Sequence, residues 1–171
     1  MKKDVLIFEK DKTGELDNVS ESVRKKHFPK LKYASINHIF RTVFKKDDEG
    51  RIVIGEARKL SNRERDLYNY DFEICIHKKT WEEAPDKMRR RLMWHELNHL
   101  VVKYKFQIDK PMVDKAGRLM ISLRRHDLVI RTFEEELVLF GPMKGEKEAI
   151  KKIYKYIRDQ RNERGGIKRR G

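Results

Sequence analysis

A chain of 171 residues, 38% of them apolar and 41% charged, can bury one modest core beneath a largely ionic surface. No run of about 18 apolar residues is present, which excludes a membrane-spanning helix. The short apolar run Val5–Phe8 is too brief for a secretory leader, and a single cysteine, Cys75, leaves no internal disulfide, so a cytoplasmic, reducing home is expected. The net charge of +14 suits contact with nucleic acid, or the lysine- and glutamate-rich surface of a heat-adapted protein.

Taken in chain order, Val5–Phe8 reads as a short strand. Asp17–Phe28 reads as a polar helix, with Asn18 or Ser20 as cap, Val19 and Val23 on one face, and Pro29 as its stop. Ile36–Phe44 is rich in β-branched and aromatic residues and predicts a strand. Lys45–Gly50 is a charged turn, and Ile52–Ala57 returns as a second strand to make a hairpin. Ser61–Tyr70 is polar and reads as loop with some helix. Phe72-Glu73-Ile74-Cys75-Ile76-His77 is a third strand. Thr80 and Glu83 have capping-box spacing, and Pro85 suits a first helical turn.

The next helix carries the chemistry. Arg90–Val101 contains His95-Glu96-Leu97-Asn98-His99, a match to H-E-x-x-H. Two imidazoles four residues apart share a helix face and can converge on one cation. The intervening glutamate is then free to act on a water that the cation activates. At about 100° per residue, Met93, Leu97, Leu100, Val101 and Tyr104 form an apolar stripe, with His95 and His99 on the other side. The helix is expected to run to about Lys105, and Pro111 marks the break.

Gly117–Leu123 alternates and predicts a strand. Leu128–Phe140 reads as a helix ending at Gly141-Pro142. Glu146–Arg161 has Ile150, Ile153, Tyr154 and Ile157 at core spacing for a last helix. The tail from Gly165 to Gly171 is glycine-rich and basic, and is expected to be disordered.

A catalytic zinc takes three protein ligands and leaves one position open, so two histidines are not enough. His126, Asp127, Glu134, Glu135 and Glu136 are the downstream candidates, with His126 preferred because it follows a strand and opens a helix. Asp127 can orient that imidazole or simply cap the helix. His27 and His38 read as structural or surface residues.

From Ile36 to Gly141 the chain resembles the phage metallopeptidases, small zincin-like proteins related in plan to the SprT-like and ImmA/IrrE-like peptidases. The resemblance rests on Val53-Ile54-Gly55, on Asp71-Phe72-Glu73-Ile74 with Trp81 after it, on HELNH, on His126-Asp127, and on Phe133 and Phe140-Gly141. Phe133 stands further from the His-Asp pair than the family pattern has it. The resemblance implies an α+β, minimal zincin-like fold: a small, mostly antiparallel sheet packed on the motif helix, with further C-terminal helices. It divides the chain into an N-terminal extension (1–35), the metallopeptidase domain (36–145) and a C-terminal helix with basic tail (146–171).

By the same resemblance one zinc ion would be held by His95, His99 and His126, with Glu96 as general base and acid. The oxyanion would be stabilised by Tyr104, His77 or an arginine. The substrate would be a protein or peptide, cut internally rather than from an end. It would lie along Phe72–His77 as the sheet's edge strand. The alternative is a nucleic-acid- or partner-binding protein on the same scaffold whose metal site is structural or vestigial; a purely structural metal, however, has no use for a base at position 96.

Overall fold

The computed structural model describes residues 8–48, 50, 52–106, 108–126, 134–142 and 147. Its centre is a four-stranded mixed sheet in the order β1-β2-β6-β5, in which β1 is Phe8–Lys10, β2 Ile36–Arg41, β5 Gly55–Lys59 and β6 Phe72–His77. β1 runs antiparallel to β2, β2 parallel to β6, and β5 antiparallel to β6. The hairpin expected between Ile36–Phe44 and Ile52–Ala57 does not form as such: β2 pairs with β1 and β6, and only a short ladder of β3 (Lys45–Lys46, inside the expected turn) and β4 (Ile52–Val53) closes the connection. Side chains alternate across a strand, and Phe72, Ile74 and Ile76 on one face of β6 are all fully buried. On the opposite face Glu73 accepts from Asn37 on β2 (2.9 Å) and from Arg58 on β5 (2.7 Å), a polar row across three strands.

Helix α1 spans Glu15–His27 and buries Leu16, Ser20 and Val23. It begins earlier than the capping residues Asn18 and Ser20 would have it. Gly14 takes the left-handed conformation at φ +70°, and the Asp11 carboxylate reaches past it to accept the Leu16 N–H at 2.6 Å. The Ser61–Tyr70 stretch holds α2, Asn62–Tyr68, closed by a capping box between Ser61 and Glu64. Arg65 on α2 is buried against Asp71 and the carbonyl of Leu119.

The long helix expected from Thr80 onward is two helices. Lys78–Glu83 (α3) is capped by the His77 side chain, and Asp86–Asn98 (α4) starts after Pro85. Thr80 and Glu83 therefore sit inside α3 and do not cap it. Arg89 ties the two together, donating to the carbonyls of Trp81 and Ala84 at 2.9 Å each, and also pairs with Glu15 of α1. Trp81, Met93 and Leu97 are fully buried. Thus α4 packs on α1 along one side and crosses β5 on the other.

Nor does α4 continue to Lys105. It ends with His99 as C-cap, and Leu100–Val102 becomes β7, paired antiparallel with β8, Ile121–Leu123. The apolar run that extends the helical stripe is claimed instead by a partner strand, where Leu100 and Val102 are buried on one face. Bridges at Tyr104–Pro111 and Val113–Leu119 carry the pairing out along the connection.

Compact packing divides the chain after Arg125, into residues 1–125 and 126–171. Within the second unit, α5 is Glu134–Phe140, ending before Gly141 at φ +75°. Val5–Ile7, the first part of the expected Leu128–Phe140 helix, the Glu146–Arg161 helix apart from Lys147, and the tail lie outside the described residues. Among the described residues, no helix is long and apolar enough to cross a membrane.

Candidate metal centre

The site begins with the burial of one side of α4. Met93 and Leu97, a turn apart, fill the core, and this turns His95 and His99 outward as half-buried side chains on the far side. Their ring centroids are 5.1 Å apart and their planes nearly perpendicular, at 77°. Trp94, between the two faces, packs on Phe28 with ring centroids 5.4 Å apart. These packed side chains hold the helix rotation, and with it the direction of both imidazoles.

His99 is fixed further by the strand pair that follows it. Its carbonyl accepts the Arg124 N–H at 2.7 Å, and its Nδ1 lies 2.8 Å from the Arg124 carbonyl. A carbonyl only accepts, so Nδ1 carries the proton and Nε2 presents its lone pair in the neutral ring. This is the backbone-carbonyl support commonly found behind a ligating histidine. Arg124 also donates to the Asn98 side-chain oxygen at 3.1 Å.

Two residues after Arg124 stands His126, half-buried. One ligand atom from each of His95, His99 and His126 lies within 4.8 Å of the others. Among the described residues these three form a group that could hold a metal ion. Three neutral nitrogen donors fit an open catalytic zinc site, which needs three protein ligands and a vacant fourth position. Asp127 and Phe133 lie outside the described residues, as do the side chains of Glu134 and Glu135; Glu136 is buried.

Glu96 is 3% exposed. Its carboxylate rests against the backbone of Gly55, the first residue of β5. A Cβ built on Gly55 would collide with Oε1 of Glu96 and stand 2.9 Å from its Cδ. In the sequence Gly55 stands out only within Val53-Ile54-Gly55, one of the segments that carry the family resemblance. The available signal was an isolated glycine in a strand, which marks close approach by another group.

The other expected site residues are committed elsewhere. The Tyr104 hydroxyl donates to the Lys30 carbonyl at 2.6 Å. His77 is buried, pairs with Thr80 through Nδ1 at 2.8 Å, and stacks on Phe44. Burial, then the nearby Arg41 and Lys79, hold its pKa below the usual histidine value. His38, read as structural or surface, is structural: it is buried and pairs with Asp17 at 2.6 Å.

Phe72–His77 is not an edge strand. Both of its backbone edges are used, one by β2 and one by β5, so no peptide can add to it. The terminal strand on that side is β5, Gly55–Lys59. Cys75 within β6 is buried, and burial pushes its thiol up to about 11.

The family model of the putative phage metallopeptidases matches residues 8–158. No curated protein and no solved structure matches the chain.

Proposed function

The chain belongs to the putative phage metallopeptidase family, and from that membership we propose that it is a zinc-dependent endopeptidase with Glu96 as its general base and acid. The observation that carries the reading is the convergence of His95, His99 and His126, with the His99 tautomer set by the Arg124 carbonyl so that Nε2 is available. In this reading the three imidazoles hold the ion.

Zinc, when bound, supplies Lewis acidity: it makes a water acidic enough to attack near neutral pH and polarises the scissile carbonyl. The chain's own residues do the rest. Glu96, next in sequence to His95, takes the proton from the attacking water and returns it to the departing amine. Its burial withholds bulk water from the carboxylate and strengthens its interactions. The imidazoles are pre-aimed by the packing of Met93 and Leu97 and by the His99–Arg124 bonds, so little reorganisation is needed.

An extended substrate would add to β5 rather than to β6. β5 is the terminal strand on the β6 side of the sheet, and its first residue is the one against which Glu96 lies. Main-chain pairing along Gly55–Lys59 would bring a peptide bond past the carboxylate whatever its side chains, which suits an endopeptidase.

The test is cleavage of a panel of denatured proteins by the zinc-loaded wild type and by Glu96→Gln. Internal cleavage by the wild type alone is the expected result. Equal inactivity of both, with zinc retained, would leave a binding protein on the same scaffold.

A further inference from the structure

Across the helix-facing side of the sheet, one row of paired residues runs Phe40 on β2, Ile76 on β6 and Gly55 on β5. Phe40 and Ile76 fill their places in that row with buried side chains. At the third place there is no side chain, and the Glu96 carboxylate occupies the space a Cβ would take. The next row along ends similarly small, with His38, Ile74 and then Ala57.

Glycine is not required there by the backbone. Among the described residues the glycines at positive φ are Gly14, Gly50, Gly117 and Gly141, and Gly55 is not one of them. It lies in a regular ladder opposite Ile76. A glycine inside a strand ordinarily weakens it, so the reason for one here is room. The clash that a methyl group would create is with the functional end of one side chain, Glu96, and its three nearest atoms are Oε1, Cδ and Cγ of that residue.

We propose that Gly55 is a positioning residue for Glu96: the missing side chain is the seat in which the carboxylate is held, between α4 and the edge strand. The catalytic part of this inference rests on the peptidase reading; the steric part does not. Adding one methyl group must push the carboxylate out of its seat while leaving the three imidazoles on their own elements. A displacement of about 1 Å at a catalytic group can cost on the order of 100-fold in rate.

The experiment is a double-mutant cycle with two readouts. Thermal unfolding is measured for wild type, Gly55→Ala, Glu96→Ala and the double variant, all zinc-loaded. Gly55→Ala is expected to lower Tm in the wild-type background. In the Glu96→Ala background the seat is vacant, so the same change should leave Tm unaltered or raise it, because alanine restricts the unfolded chain. An equal change in Tm in both backgrounds overturns the inference.

In the active protein, Gly55→Ala should lower kcat by about 100-fold, with KM and zinc content close to wild type. A kcat equal to wild type also overturns it. If Gly55→Ala alone does not fold but the double variant does, the clash is demonstrated directly. Wild-type protein that cleaves nothing refutes the peptidase reading, and the thermal cycle then decides on Gly55 by itself.

Discussion

His99 and Arg124 are joined by two hydrogen bonds that run in opposite senses. The Arg124 N–H donates to the His99 carbonyl at 2.7 Å, and the His99 Nδ1–H donates to the Arg124 carbonyl at 2.8 Å. One residue pair thus closes the β7–β8 ladder and also sets the tautomer of a candidate ligand. Arg124→Pro removes the amide donor without touching any imidazole. We expect wild-type protein to bind about one zinc per chain, and His99→Ala to lose it. Arg124→Pro breaks the ladder bond that holds the Arg124 carbonyl behind the His99 ring and also removes the side-chain bond to Asn98, so zinc should bind more weakly, by up to about 10- to 100-fold. Metal analysis and competition with a chelating dye measure both. An affinity for Arg124→Pro equal to wild type would remove the strand pair from the site.

Glu96→Gln keeps the shape of the side chain and removes its capacity to take a proton. Peptide hydrolysis should fall by about 100- to 10,000-fold, while zinc content and Tm stay near wild type. Parallel loss of zinc would mean that Glu96 supports the ligands and not the proton transfer.

Cys75 is 6% exposed, and burial lifts its thiol pKa to about 11. Thiolate is the reactive form, so the native protein should resist an aromatic disulfide reagent at pH 8 and react with it once unfolded. The linkage has a definite sign. The folded pKa is above the unfolded one, so this contribution to stability is complete below about pH 8.5 and disappears as pH rises through about 11. Cys75→Ala should lose less stability than wild type across that interval in urea titrations.

His38 is buried beside Asp17, and burial depresses its pKa more than the carboxylate raises it. The unfolded chain therefore binds more protons near and below pH 6.5, and stability falls as pH drops from that value toward the native pKa. His38→Gln should flatten the decline between about pH 7 and 5, in parallel urea melts at saturating zinc. His27 and His77 shift in the same direction and remain in the variant, so the slope should shrink without vanishing. Identical slopes would exclude His38.

Much of the molecule was readable one segment at a time. The strand at Phe72–His77 and the pairing of two imidazoles on one helix face follow from local spacing, because strand and helix periodicity involve only near neighbours, while the α+β class came with the family resemblance. The HELNH helix and the later His126 were enough to expect a metal site, and together with Val53-Ile54-Gly55, Asp71–Ile74, Trp81, Asp127, Phe133 and Phe140-Gly141 they carried the resemblance to the family whose model matches residues 8–158.

Three features belonged to the tertiary structure. The apolar run Leu100–Val102 satisfies a helical stripe and a buried strand equally well, and pairing with Ile121–Leu123 decided for the strand. That same pairing brings Arg124 back to His99, a proximity that no local pattern encodes. Strand order is likewise non-local: nothing within Phe72–His77 says that β2 and β5 occupy both its edges, leaving β5 terminal. The empty place at Gly55 acquires meaning only when α4 crosses β5 and a carboxylate fills it. Sequence alone determined which groups could do chemistry, because that is a property of side chains and short spacings. Folding decided which of them meet, because contact between distant segments depends on how the whole chain closes its hydrogen bonds and fills its core.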